Sequence, residues 1–250
     1  MTQDAKMPGL PQIDVLERGG KRDGEEQAMD RRLFMQLLVF RVRSGTSPED
    51  VLRALGRELE RRGVPGVVYE DVNDPRGLGL LSWSEDAAHF VTRVRPLLNE
   101  PTFDALELRP EMTMLGRTYG QGHEPKLEHM LIERPKDNVL ARDWPFAVWY
   151  PLRRTGAFSK LGREEQVSIL REHAQIGMAY GQQDLAHDVR LACHGMDAAD
   201  NEFVVGLLGR TLHPLSHCVQ MMRKTRQTSE FIAQMGPFFV GYARAWSKGA

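Results

Sequence analysis

His173 stands among Ile169, Leu170, Ile176 and Gly177, at the −4, −3, +3 and +4 positions of a segment with helical spacing. An imidazole on an apolar helix face must be satisfied, either by a hydrogen bond inside a core or by a metal ion, haem iron included. Gly177 strips bulk from the helix one turn further on, where a flat group can approach the backbone. Both readings of His173, core histidine and iron ligand, stay open on helical position alone.

The run Tyr150-Pro151-Leu152-Arg153-Arg154 ends just before the segment that carries His173. Arg153 and Arg154 have no acid beside them. They read either as solvated loop charges or as guanidinium groups that hold carboxylates or phosphates by paired hydrogen bonds, as a dianionic porphyrin would require. Arg117 and Tyr119 form a second polar cluster suited to the same task. His213 and His217 are one helical turn apart and resemble a divalent metal pair, but Ser216 and Cys218 supply no clear third ligand. His123, Glu124 and His129 share one loop, and Asp197, Asp200 and Glu202 lack the regular spacing of a calcium loop. Met112, Met114, Met221 and Met222 read as core filler.

The chain has 250 residues, 41% of them hydrophobic, enough for one large domain or two small ones. Lys plus Arg number 33 and Asp plus Glu 34, so the formal charge of −1 provides no bulk attraction to nucleic acid or anionic lipid. No continuous apolar run in the first thirty residues suggests a signal or a membrane span. Cys193 and Cys218 sit in neither a CxxC nor a zinc spacing and read as reduced thiols of a cytoplasmic protein.

The elements that position these residues repeat one plan. Residues 1–30 read as a mobile arm. From there, Leu33 to Val42 is a buried strand, and Ser47-Pro48-Glu49-Asp50 opens a helix to about Arg62. Gly66 to Val72 and Leu78 to Trp83 are strands, Ser84-Glu85-Asp86 opens a second helix, and Leu106 to Thr118 returns as one long strand. After a linker, 119–144, the order recurs: strand Phe146 to Leu152, helix Leu161 to Tyr180, strands Val189 to Cys193 and Phe203 to Leu208, a helical region from Pro214 to about Met235, and a closing strand Phe238 to Trp246. Two βαββαβ ferredoxin-like halves, 31–118 and 145–250, are thus expected, with their sheets packed together in an α+β fold. The space between sheet and helices in the second half is the expected cofactor pocket.

The Tyr-Pro-x-x-Arg strand end, Glu172-His173 followed by Ile176-Gly177, the hairpin from Gly195 to Val205, Met222-Arg223 and the Gly236-Pro237-Phe238-Phe239-Val240-Gly241 strand resemble the chlorite dismutase family, which includes coproheme decarboxylases. The likeness is carried by order and spacing from about 146 to 246; over 32–118 it is architectural. It implies a dimeric α+β barrel, haem b or coproheme, His173 as iron ligand, and assembly as a homopentamer. Tyr150 matches the family's motif tyrosine, and Arg154 stands where that motif has lysine. The distal position falls at Asp188, with His187 and Arg190 as the neighbouring candidates. Arg226 occupies the place where the family tends to have a glutamate bonded to the proximal imidazole, and Ala157 and Phe158 replace a tryptophan and a tyrosine.

These departures lead to the expectation of a peroxidase-like haem oxidoreductase acting on hydrogen peroxide, with Tyr150 as an electron donor and His187, Asp188 or Arg190 as the distal group. Arg117, Tyr119, Tyr150, Arg153, Arg154, Ile176 and Gly177 are the expected cofactor contacts. Coproheme decarboxylation and a non-catalytic haem-binding, sensor or haem-less role are the alternatives. No nucleic acid or membrane partner is expected.

Overall fold

The computed structural model describes residues 10–250. A hairpin, β1 (Glu17–Arg22) and β2 (Glu25–Met29), precedes the first half. That half runs β3 (Phe34–Val42), α1 (Pro48–Arg62), β4 (Gly66–Asp71), β5 (Gly77–Ser84), a short helical passage ending in α2 (Arg95–Leu98), β6 (Leu106–Leu108) and β7 (Met114–Arg117). Helix α3 (Arg134–Leu140) lies between the halves. The second half comprises β8 (Phe146–Arg154), α4 (Gly156–Ser159), α5 (Arg163–Gln182), β9 (His187–Ala192), β10 (Phe203–Gly209), α6 (Leu212–Met222), α7 (Arg226–Phe231), β11 (Ile232–Met235) and β12 (Phe239–Ser247).

In spatial order the strands are β7-β3-β5-β4 in one half and β12-β8-β10-β9 in the other, the same ferredoxin-like arrangement twice. The two sheets do more than pack face to face. Antiparallel pairing of β4 with β12 and of Arg117 in β7 with Ala192 in β9 hydrogen-bonds their edges, and the eight strands close into a barrel. Closure leaves few free edges. Side chains alternate along each strand, so one set fills the barrel: Met35, Leu37, Leu81, Trp149, Val189, Leu191, Val204, Leu208 and Phe239 are all buried there. The other set faces outward to the helices.

The two helix layers differ. Ser47 caps α1, accepting from the Asp50 amide at 3.3 Å, Pro48 occupies the first turn, and Gly63 ends the helix at φ 58°. In its 15 residues α1 buries Val51, Leu52, Leu55 and Leu59, each worth about 1.5–3 kcal/mol of apolar burial. By contrast, the 20 residues of α5 bury Ile169 alone. Helix α5 therefore leaves its sheet less tightly covered than α1 leaves the other.

Several elements differ from the sequence expectation. The 1–30 arm is ordered from Glu17: Gly20 donates to the Glu124 carbonyl at 3.0 Å, the Gln27 amide donates to the same oxygen at 2.9 Å, and Gln27 accepts from the Leu127 amide at 3.0 Å. Residues 1–9 of that arm lie outside the described residues. The expected long strand over Leu106 to Thr118 is broken by a turn at Pro110–Met112, because Pro110 has no N–H for the ladder. The second helix shrinks to a wide turn, Phe90–Val94, running into α2, where Pro96 cannot donate in the α register. A like turn, His129–Glu133, precedes Pro135 inside the expected linker. Finally, the region Pro214 to Met235 is two helices and a strand, with β11 pairing alongside β8.

Candidate functional site

Three neighbouring strands set the site by register. Tyr150 lies opposite Val205, which lies opposite Arg190; the next row is Val148, Leu207 and Asp188; the row beyond is Leu152, Phe203 and Ala192. Cross-strand partners point to one face, and Tyr150, Val148 and Leu207 pack in the cluster beneath the helices. Asp188 and Arg190 therefore share that face with Tyr150. Arg154 follows at even spacing on the same side, whereas Arg153 points to the other. On this face Phe203, Val205, Asp188, Arg190 and Arg154 are only half-buried. Their counterparts under α1, such as Val68 and Leu80, are sealed.

His173 reaches this layer from α5. Its Nδ1 lies 3.4 Å from Thr225 Oγ1, at the start of α7. Burial lowers the imidazole's pKa from its usual value; the Arg190 charge lowers it further, and the Glu172 and Asp188 carboxylates raise it. The ring is thus held neutral, the form that ligates a metal. Ile176 and Gly177 are half-buried on the same helix, and a Cβ at Gly177 would meet only Met222 Cε, at 3.5 Å. That glycine faces α6 without crowding.

Opposite, Asp188 is bracketed by two guanidinium groups. Arg134, from α3, donates to its Oδ1, and Arg190 Nε lies 2.9 Å from its Oδ2. Burial would raise the Asp188 pKa, but Arg190 and Arg134 outweigh it and hold the carboxyl below its ordinary value. A small cavity of about 20 Å³, room for roughly one water, lies beside this group and is lined by Tyr119, Glu124, Arg134, Asp188 and Arg190 among others. Tyr119 tilts against Phe203 at 5.7 Å, and burial raises its phenol pKa. Tyr150 stacks on Phe238 at 4.7 Å, and burial likewise raises its pKa.

Of the remaining candidates, Arg154 alone stays at the edge of this face. His187 has the parity of Val189 and Leu191: its ring stacks on Trp144 at 3.5 Å, and its Nε2 lies 2.8 Å from Asp184. It is on the face opposite Tyr150. Arg117 is engaged by Glu17 at 2.8 Å, Arg153 by Asp200 at 3.3 Å and Gln234 at 3.4 Å. Arg154 donates to Glu202 at 3.3 Å and lies between the Phe158 and Phe203 rings, 4.6 Å from each, at the rim of the layer. Arg226 does not approach His173; it pairs with Glu165 at 2.8 Å and Glu230 at 2.9 Å. His217 bonds Tyr180 at 2.5 Å, and His129 bonds Glu133 at 3.0 Å. Among the described residues, no group of three or more His, Cys, Asp or Glu is arranged to hold a metal ion.

Thr225 and Arg134 are neighbours of the candidate residues that sequence reasoning missed, and Phe238 entered it only as part of a strand motif. The first two meet their partners only through tertiary packing. Thr225 nevertheless had a local signal, as a threonine ahead of a short helix.

Residues 123–244 match the family model described as chlorite dismutase. None of the curated proteins matches the chain by sequence. Among solved structures, a novel heme-binding protein from Thermus thermophilus superposes with a TM-score of 0.65 at 19% identity, over 85% of this chain and 91% of that one. A mutant chlorite dismutase from Candidatus Nitrospira defluvii gives 0.67 at 12%, over 86% and 93%. The chlorite dismutase of the same organism in complex with imidazole gives 0.64 at 12%, over 86% and 92%. At such identities the superpositions establish the fold. Together with the match over residues 123–244, they make this chain similar to the chlorite dismutase family, in sequence over that stretch and in fold over most of its length.

Proposed function

We propose that the chain binds haem through His173, in the layer between α5 and the β8–β10–β9 face, and acts as a peroxidase-like oxidoreductase on hydrogen peroxide. The observation that carries this reading is the contrast between the layers: α1 seals its sheet with four buried residues, while α5 contributes one and leaves a half-buried, polar-edged face below it. A neutral imidazole on the helix that covers this face, aromatic rings of Phe203, Tyr150 and Phe238, and Arg154 at the rim suit an apolar macrocycle with acidic substituents. The heme-binding relative from Thermus thermophilus supports the same ligand.

When bound, haem supplies the redox chemistry. The protein's own groups do the rest. His173 Nε2 would ligate the iron, and Arg154 would carry the charge that balances a propionate, using what its bond to Glu202 leaves free. Asp188, held ionised by Arg190 and Arg134, accepts a proton from an incoming peroxide, and Arg190 donates hydrogen bonds to the oxygen that becomes anionic. Tyr150 is the electron donor nearest the centre of this face. Turnover of a dye with hydrogen peroxide by the haem-loaded protein tests the reading. A loss of at least about tenfold in Asp188→Asn is expected, in line with removal of a general base; unchanged turnover in that variant would remove Asp188 from the mechanism.

The position of Tyr150 on the helix-side face favours coproheme decarboxylation as a second reading. Loss of carboxyl groups from coproheme on addition of hydrogen peroxide, followed by mass spectrometry, would establish it; no loss would exclude it. We also infer a homo-oligomer, a pentamer by family resemblance, in the cytoplasm; light scattering checks the subunit number. No helix among the described residues is long and apolar enough to cross a membrane.

A further inference from the structure

We infer that Thr225 fixes the tautomer of His173 and that this neutral hydroxyl, not a carboxylate, is the partner of the axial imidazole. The proposal rests on His173 being the haem ligand, but its first test needs no haem.

Thr225 Oγ1 has one proton and two lone pairs. It lies 2.7 Å from the Met222 carbonyl oxygen, which can only accept, so the hydroxyl proton points there. What remains toward His173 Nδ1, at 3.4 Å, is a lone pair. Nδ1 is then the protonated nitrogen of the neutral ring, and Nε2 keeps the free electron pair that a metal needs. Thr228 Oγ1, 3.4 Å from Thr225 Oγ1, is a further neutral neighbour and does not change this assignment. Thr225 is 1% exposed, so bulk water does not compete for the bond.

The backbone context shows that this threonine is diverted from its ordinary task. It sits at the N-cap of α7 with extended φ and ψ, the place where a threonine side chain usually accepts from its own helix, yet it makes no such side-chain bond. Only its carbonyl serves the helix, accepting from Thr228 at 3.1 Å and Ser229 at 2.9 Å. The nearby carboxylates are all committed elsewhere. Glu172 accepts from the Arg226 backbone amide at 3.1 Å, and Glu165 and Glu230 hold the Arg226 guanidinium. Arg226, rather than opposing the histidine, draws the acids of α5 and α7 away from it.

A carboxylate on Nδ1 would pull that proton and enrich the ligand in electron density; a hydroxyl does not. His173 would therefore be a weak donor to a bound iron. Bound iron would then have a comparatively high potential, and proton handling would rest with Asp188 and Arg190.

The experiment is ¹⁵N NMR on histidine-labelled protein without haem. The expected spectrum places the His173 proton on Nδ1; Thr225→Val should give a mixture or the opposite tautomer, and Thr225→Ser should restore the first. In the haem-loaded protein, Thr225→Glu should lower the ferric/ferrous potential and raise the iron–histidine stretch seen by resonance Raman, with Thr225→Ser unchanged. A proton on Nε2 in the parent, or a tautomer indifferent to Thr225→Val, overturns the inference. Failure of haem to bind while the tautomer responds as expected would instead overturn the proposed ligand and leave the Thr225–His173 bond standing.

Discussion

Replacing Asp188 by Asn keeps the side chain's shape and removes the charge that Arg134 and Arg190 share. About a third of the carboxylate's side-chain surface, 34%, is reached by solvent, with 27% for Arg134 and 36% for Arg190, so the triad is neither fully buried nor freely screened. Hydrogen bonds to charged groups contribute about 1.5–3 kcal/mol each in favourable settings, and partial exposure reduces the sum for two. A loss of about 2 kcal/mol is the expected result, which for a chain of this length lowers Tm by roughly 4–8 °C. The pH dependence has a definite sign. Because the folded Asp188 pKa lies below the ordinary 3.8, its stabilisation is fully present above that value and disappears as pH falls through the folded pKa. Thermal melts of parent and variant, followed by circular dichroism at pH 7, 5 and 3, should show a gap that is wide at pH 7 and 5 and narrows at pH 3. A variant that melts within about 1 °C of the parent at pH 7, set against that expected shift, would refute the placement of Asp188 between the two arginines.

Gly206→Ala should lower stability by about 1–3 kcal/mol in urea titration, because a Cβ there meets the buried Trp149 ring at 2.6 Å on the paired strand; a neutral effect would contradict the barrel packing. Ser47→Ala should cost about 1 kcal/mol through loss of the α1 cap while leaving haem absorbance untouched, since α1 lies under the other half. Burial pushes the Cys193 thiol up to about 12 and Cys218 up to about 11, so neither should react with a thiol reagent at pH 8 until urea unfolds the chain; prompt labelling would place a cysteine at the surface.

Much of the scaffold was legible because it follows from local chemistry. Ser47-Pro48 and Gly63 bound α1 as their residue types require, and the βαββαβ order recurs in both halves. Strand parity also held information that the sequence reading left unused: Val189 and Leu191 are apolar and inward, so His187 shares their face and Asp188 and Arg190 take the other. Likewise, Asp23-Gly24, with φ of 53° and 89°, is a hairpin turn inside a stretch that looked shapeless because its strands do not alternate; docking on residues 123–127 orders it instead. Pro110 announced a break that the alternation of Leu106, Leu108, Met112 and Met114 with polar residues obscured. What sequence reasoning could not reach are bonds between distant positions. Glu17 with Arg117, Arg134 with Asp188 and His173 with Thr225 depend on the closed barrel and on how α5 lies over it.

Absorbance between 350 and 450 nm, recorded as haem is added to the purified protein, bears most directly on the role of His173. A Soret band that saturates at one haem per chain, persists in Arg57→Ala on the exposed side of α1, and is lost or shifted to a weakly ligated form in His173→Ala is the expected result. No band in the parent, or an identical band in His173→Ala, would contradict the assignment of that imidazole to iron.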